Sequence, residues 1–243
     1  MKERLDIVIV KRGIAASRDR ARALILEGKV FVKNRPETKA GAMVDTAAPI
    51  ELKGMDIPYV GRGGLKLEAA IEHFGIELRD VVAMDVGAST GGFTDCMLQK
   101  GAQKVYCIDV GYGQLAWSLR TNPRVLLIER TNIRHLEKER IPDIIDFAAI
   151  DLSFISLKKV LTKVKEFMKE DGKMLALVKP QFEVGRGEVG KGGVIRDDDK
   201  RMAAVASVKE FAEETGLLVG GIFESPVPGQ KGNREYFLYL RNR

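Results

Sequence analysis

The 243-residue sequence predicts an α/β fold, a mainly parallel sheet with helices on both faces, preceded by a small α+β unit. Three observations predict it. From residue 81 onward, apolar strand-like runs alternate with helical stripes, the pattern of a sheet whose crossovers are helices. A glycine-rich stretch, Asp85-Val86-Gly87-Ala88-Ser89-Thr90-Gly91-Gly92, joins the first of those runs, Val81-Val82-Ala83-Met84, to a helix through Lys100. The first sixty residues carry a different pattern, set apart by a stretch holding Pro58, Gly61, Gly63 and Gly64.

Taken in order, Leu5, Val8 and Ile9 fall at helical spacing, and Gly13 ends that helix. Ser17 caps a second helix with Ala21, Leu24 and Ile25 as its stripe and Gly28 at its close. Val30-Phe31-Val32 reads as a strand and Asn34-Arg35-Pro36 as a turn, with returning strands at Val44 and at 49–52. We set the units at 1–60 and 61–243, with 57–64 as linker and Asp56 to Gly64 as a hinge. Leu67, Ala70, Ile71 and Phe74 then form a helical stripe ended by Gly75. Strands follow near 81–86, 104–109, 125–128, 144–150 and 173–179, and helices near 91–100, 114–120, 157–169 and 197–215. The last helix opens on Asp197-Asp198-Asp199, carboxylates that suit a helix N-terminus. Strands near 217–223 and 235–240 close the chain.

Composition narrows the class. An apolar fraction of 45% is enough for a packed core. The net charge of +6 suits a polyanionic partner, and Lys and Arg outnumber Asp and Glu by 12 to 8 within residues 1–60. Cys96 and Cys107 give neither a disulfide framework nor metal spacing and are expected as buried, inert thiols. No apolar run approaches ~18 residues, and the charged N-terminus lacks a signal-peptide core, which points to the cytoplasm and away from a membrane.

Glycines at 87, 91 and 92 let the backbone approach a ligand that the helix N–H groups then face. The dinucleotide spacing G-x-G-x-x-G is absent, and Asp85 at the strand end suits a cationic amine, so the loop favours S-adenosylmethionine over NAD. Asp109 ends the next strand, 24 residues after Asp85, near the spacing at which an acid accepts ribose hydroxyls. Thr131 and Asn132 follow the third strand, where an adenine edge would be read. Ligands bind outside the carboxyl ends of strands in such sheets, and Asp151 and Lys179 end two strands on that rim. Glu235 opens the last strand and reaches the same rim if that strand runs antiparallel; Lys66 edges the first stripe of the second unit. Between Lys179 and the last helix, Gly185-Arg186-Gly187 and Gly190-Lys191-Gly192-Gly193 form a basic loop, either a lid over RNA or a plain connector.

The order R-L-D at 4–6, S-R at 17–18 and A-x-x-L-I-x-x-G-x-V at 21–30 resembles the ribosomal-protein S-four-type RNA-binding domain. That resemblance implies phosphate contacts from Arg4, Arg18, Arg22 and Lys33, and Arg35 stands where the pattern usually has Gly; Arg62, in the stretch that follows, is a candidate to touch either RNA or the second unit. G-R-G-G-x-K-L at 61–67, D-V-G-A-S-T-G-G-F-T-D at 85–95, D-L-S-F-I-S at 151–156, K-P-Q-F-E at 179–183 and G-N-R-E-Y-F at 232–237 resemble the TlyA family. These haemolysin-named proteins are ribosomal RNA 2′-O-methyltransferases with an FtsJ-type catalytic domain. The resemblance implies a Rossmann-like, S-adenosylmethionine-dependent sheet acting on cytidine in 16S or 23S ribosomal RNA, within ribosomal subunits or as free RNA. It carries a K-D-K-E tetrad onto Lys66, Asp151, Lys179 and Glu235, and a cofactor loop onto Asp85, Gly87, Ser89, Gly91, Gly92 and Phe93, with Asp109 as ribose acid.

Neighbouring chemistries lack their residues. Asp151-Leu152-Ser153-Phe154 stands where amino-group methyltransferases carry a proline-proline-aromatic motif, neither cysteine sits where a carbon-5 enzyme needs its nucleophile, and His73 and His135 offer no metal site. A catalytically silent ribosome-binding factor and a membrane-lytic protein are the competing readings. The four-residue tetrad argues against the first, and the want of a sustained amphipathic stretch against the second.

Overall fold

The computed structural model describes residues 1–15, 17–26, 28–53, 57–185, 187, 189–190 and 192–243. Asp56 of the expected hinge, and Arg186 and Lys191 of the expected basic loop, lie outside the described residues.

The first unit, Met1–Ile57, rests on short local elements. β1 (Lys2–Arg4) runs straight into α1 (Leu5–Lys11), and α2 (Arg18–Leu26) starts behind Ser17, whose Oγ accepts the Arg20 N–H at 3.2 Å. β2 (Val30–Val32), β3 (Arg35–Pro36) and β5 (Ile50–Leu52) form one antiparallel sheet; β4 (Met43–Asp45) pairs with β1. Leu5, Val8 and Ile9 pack on Ala21, Leu24 and Ile25 over Val30 and Val44. The turn expected at 34–36 falls one residue earlier. Lys33 and Asn34, at φ 51° and 61°, close a two-residue hairpin, and Arg35 and Pro36 are already strand. Right-handed strand twist favours positive φ at both turn residues, which Asn tolerates better than most.

The second unit, Pro58–Arg243, begins earlier than residue 61. Tyr59 is buried among Leu67, Ala70 and Met97, Gln99 Nε2 donates to the Pro58 carbonyl at 2.9 Å, and Asp95 Oδ2 accepts the Val60 N–H at 2.8 Å. The 58–64 segment is therefore fastened to this unit and is not a free hinge. Its elements are α3 (Gly63–Phe74), β6 (Val82–Val86), α4 (Gly92–Gln99), β7 (Lys104–Ile108), α5 (Trp117–Arg120), β8 (Val125–Ile128), β9 (Ile145–Ile150), α6 (Leu161–Lys165), β10 (Met168–Val178), α7 (Pro180–Glu183), α8 (Asp198–Glu214), β11 (Leu218–Glu224) and β12 (Tyr236–Arg241).

These strands form one sheet in the order β11-β12-β10-β9-β6-β7-β8. β6 to β10 run parallel, and β12 runs antiparallel to both neighbours. Both faces are apolar. Along β10, Met174, Ala176 and Val178 join the core under α6 and α8, while Leu175 and Leu177 join the core under α3 and α4. That two-sided burial is why the strand reads as a continuous apolar run. The chain leaves β6 toward β7 and β8 and returns on its other side through β9 and β10, so the strand order reverses between β6 and β9. Such a switch point opens a crevice at the strands' carboxyl ends.

Three expected elements differ. The helix set at 157–169 is a short 3-10 turn at Leu157–Lys159 followed by α6. Met168 then pairs with Ile145, so β10 starts five residues before the expected 173, across a register shift. The helix set at 114–120 shrinks to α5, because the Ala116 N–H is held by the Thr90 carbonyl at 3.1 Å and the preceding residues stay in loop. α7 was not foreseen; Pro180 occupies its first turn, where a missing N–H costs nothing.

Candidate active site

Register brings the ionisable residues together. Val86 pairs with Ile150, Ile150 with Ala176, and Val178 with Tyr236. Just beyond these pairs stand Gly87, Asp151 and Lys179, and Glu235 enters from the opposite direction on the antiparallel β12. Lys66 arrives from the first turn of α3.

The four charges form two pairs. Lys66 Nζ donates to Glu235 Oε2 at 2.6 Å. Lys179 Nζ lies 2.5 Å from Asp151 Oδ1 and donates to Ser153 Oγ at 3.1 Å. The Lys179–Asp151 contact lies off the line of a hydrogen bond, so it is a close charge contact and not an aligned bond. Lys66, Lys179 and Glu235 are 9%, 9% and 2% exposed, and Asp151 is partly open to solvent. Charges taken this far from water persist only when paired.

The tetrad lines a cavity of about 490 Å³ whose wall also includes Arg62, Gln181 and Phe182. A second cavity of about 530 Å³ is lined by Asp109, Gln114 and Asn132. The two share Gly87, Ser89, Asp151, Ser153 and Phe154. Gly87 has φ 92°, and a Cβ there would collide with the Asp151 carbonyl oxygen. Only glycine lets the loop pass this close to the β9 end. Asp109 accepts the Ser89 N–H through Oδ2 and the Gly111 N–H through Oδ1, both at 2.7 Å, pinning one loop to the next. Asn132 Oδ1 accepts the Arg134 N–H at 3.1 Å, leaving its amide N–H₂ as the group for a ligand. Phe93 lines the first cavity and packs on Phe237 at 6.1 Å between ring centroids.

Two expected cofactor residues lie elsewhere. Gly91 turns the chain against Leu115 and Leu119 and lines neither cavity. Asp85 sits inside β6, not at its end, and reaches no solvent. Its Oδ2 accepts the Thr94 hydroxyl at 2.6 Å, that hydroxyl lies 2.9 Å from Cys107 Sγ, and Asp85 Oδ1 has no partner. Burial pushes Asp85 up to about 7. A carboxylate so enclosed supports the loop from below instead of meeting an amine directly. Cys96 and Cys107 are free and buried, and burial pushes the Cys96 thiol up to about 12.

Of the expected RNA contacts, Arg62 lines the tetrad cavity, Arg4, Arg18 and Arg22 gather around Asp6 in the first unit, and Lys33 stands on the β2–β3 turn. Phe154, Phe182 and Glu183 carry no site signal of their own in the sequence, although all three lie in the motifs at 151–156 and 179–183. Phe154 is 88% exposed at φ 64°, lines both cavities, and sits 4.9 Å from the Phe182 ring. Exposure and a left-handed backbone on a bulky residue mark a functional position only in three dimensions. Among the described residues no group of three or more His, Cys, Asp or Glu is arranged to hold a metal.

Comparison with known proteins matches residues 59–242 to the FtsJ-like methyltransferase family and residues 3–48 to the S4 domain. The chain is 46% identical to the 16S/23S rRNA (cytidine-2′-O)-methyltransferase TlyA of Mycobacterium tuberculosis, over 100% of this chain and 91% of that protein. A solved hemolysin-named structure from Streptococcus thermophilus superposes with a TM-score of 0.78 at 39% identity, covering 99% of this chain and 88% of the other. An S-adenosylmethionine-dependent methyltransferase from Mesorhizobium loti shares the fold at TM-score 0.56 and 14% identity, over 75% of this chain and 100% of its own.

Breaking one buried pair should cost more than removing both partners. Lys66→Met strands Glu235 and is expected to lower stability by about 3–5 kcal/mol, whereas Lys66→Met with Glu235→Gln recovers much of the loss. Urea unfolding of both variants checks this, and equal costs would contradict the pairing. Asp85 gives a pH signature. Its folded value, about 7, exceeds its ordinary 3.8, so its contribution is full below pH about 4 and fades as pH rises through 7. The stability gap between the parent and Asp85→Asn should shrink across that window in unfolding curves; parallel curves would refute the burial.

Proposed function

The chain belongs to the TlyA family of FtsJ-like methyltransferases, and on that premise we propose that it transfers a methyl group from S-adenosylmethionine to a ribose 2′-hydroxyl of ribosomal RNA, with cytidine as acceptor, in the cytoplasm. The reading rests on Lys179. An ammonium carries three N–H donors. Ser153 takes one, Asp151 faces the ammonium as a close charge without an aligned bond, and a donor remains for an acceptor oxygen in the tetrad cavity.

The residues fit the cofactor. The glycine-tight passage at Gly87 brings backbone against the wall common to both cavities, and Asp109 and Asn132 line the second one. We assign Asp109 to the ribose hydroxyls, Asn132 to the adenine edge, and Gly87, Ser89 and Gly92 to the remainder. When bound, S-adenosylmethionine supplies an electrophilic methyl on a sulfonium.

A ribose hydroxyl is a weak nucleophile, so the protein's task is to align it and to stabilise the charge that grows on its oxygen. Lys179 does this at the 2′-oxygen. Asp151 orients Lys179 and, being the tetrad's most exposed member, offers the hydroxyl proton a route to water. Lys66, locked by Glu235, adds a second cation to the same wall and steadies the ribose or an adjoining phosphate. Phe154 and Phe182 offer an exposed aromatic face at the cavity mouth, a surface on which a base stacks. The 2′-hydroxyl exists in RNA and not DNA, so the chemistry itself selects the nucleic acid.

Incubating purified protein with ribosomal subunits and methyl-labelled S-adenosylmethionine, then mapping 2′-O-methyl sites, tests the proposal. Label should appear on ribose, and Lys179→Ala should reduce transfer by about 10²–10⁴-fold while thermal unfolding and cofactor binding stay near the parent's. Undiminished transfer by that variant, or label on a base, would overturn the assignment. No transfer by the parent to any subunit would favour the catalytically silent reading.

A further inference from the structure

Asp6 lies in the first turn of α1 and its side chain reaches no solvent. The groups that approach it are cations. Arg4 Nε donates to Oδ1 and Arg4 Nη2 to Oδ2, both at 3.0 Å; Arg18 Nη2 donates to Oδ2 at 3.3 Å, and Arg22 Nε stands 3.5 Å from the same oxygen. The three arginine side chains remain 44%, 53% and 47% exposed. They come from two places in the chain, Arg4 from the end of β1 and Arg18 and Arg22 from one face of α2. The hub is fixed at the backbone as well, because the Asp6 N–H donates to the Ala40 carbonyl at 3.1 Å and the Leu5 N–H to the Ala42 carbonyl at 2.8 Å.

We propose that Asp6 assembles Arg4, Arg18 and Arg22 into a preformed seat for a phosphodiester group of RNA, so that a buried negative charge strengthens the binding of a negative ligand. The inference rests on the reading that this chain acts on ribosomal RNA. Three guanidinium groups left to themselves repel and wander. Bound to one carboxylate, they are drawn together with one edge engaged and other N–H donors free for phosphate oxygens. Two effects of Asp6 oppose each other. Its charge lowers the positive field at the guanidinium groups, which are about half exposed, so that solvent screens the field where a ligand would meet it and the effect is worth a few-fold in affinity. Its ordering of three long side chains before the ligand arrives is worth about tenfold or more. Ordering wins. The Arg4 hydrogen bonds hold the Asp6 carboxyl down at about 2, so the hub is ionised throughout the physiological range.

The sign of one substitution decides the matter. With the full chain and an in vitro transcript of ribosomal RNA, Asp6→Asn is expected to bind about tenfold more weakly at physiological salt. Asp19→Asn, which removes the same charge from an exposed carboxylate 3.8 Å from Arg22, should bind as tightly as the parent or slightly tighter. Equal or tighter binding by a cooperatively folded Asp6→Asn would overturn the proposal, because it would show that the arginines act only through their charge. If Asp6→Asn does not fold, Arg18→Lys with Arg22→Lys keeps the charge but loses the forked donors; it should be about tenfold weaker, and parent-like affinity would overturn the seat. The triple Arg4→Ala, Arg18→Ala, Arg22→Ala variant separates this inference from the reading beneath it. Parent-like RNA affinity in that variant removes the seat but leaves methyl transfer intact, whereas loss of methyl transfer with every RNA, measured on the parent, removes the reading itself.

Discussion

Two lysines and two carboxylates stand at the rim of an apolar sheet, and the three that are buried, Lys66, Lys179 and Glu235, each lie against a charge of opposite sign. Pairing is the constraint from which much of the site follows. Lys179 needs an anion at the end of β10, and parallel pairing puts Asp151 on the neighbouring β9 end. Lys66 needs one at the start of α3, and only a strand entering the rim from the opposite direction delivers Glu235 there. The antiparallel β12, wedged between β10 and β11, is thus what completes the tetrad.

Supporting groups hold those pairs in place. Glu183, at the end of α7, accepts the Ser156 hydroxyl at 2.6 Å and the Leu157 N–H at 2.9 Å. It ties the segment after Lys179 to the segment after Asp151, and burial raises its carboxyl above the usual range. Gly229 leaves the space that the Glu235 carboxylate occupies; any Cβ there would strike Oε1. The Gly229 N–H is held by the Asn233 carbonyl at 2.8 Å, so the room for Glu235 is built by backbone and does not depend on a movable side chain. Asp85 and Thr94 do similar work beneath the glycine-rich loop that follows β6.

Much of this could be read from residue order because it depends on period and polarity. Apolar strand runs alternating with helical stripes gave the two-faced sheet, and Lys179 closes the apolar run Met174-Leu175-Ala176-Leu177-Val178. What escaped depends on depth and competition. Asp85 looks like a strand-end residue until Val86 is seen to extend β6 past it. Leu157, Val160, Leu161, Val164, Phe167 and Met168 fall at helical spacing and are all buried. Strand pairing with Ile145 nevertheless claims Met168, because a ladder to a parallel neighbour outweighs helix propensity at the end of a short helix. Phe154 carries no periodic signal. Its exposure and its left-handed backbone exist only once the loop is folded.

Both units answer the same electrostatic problem, with opposite exposure. In the second unit the pairs are largely buried, with Asp151 alone partly open to solvent, and each cation is held by one anion at the wall of a cavity, where low dielectric amplifies whatever charge a reaction creates. In the first, one anion is buried and three cations face water, an arrangement too screened for chemistry but suited to holding a polyanion. A site that must stabilise a transient charge needs its own charges few and fixed. A site that must hold a long-lived charge needs them numerous and accessible, and a single carboxylate at their centre keeps them from scattering.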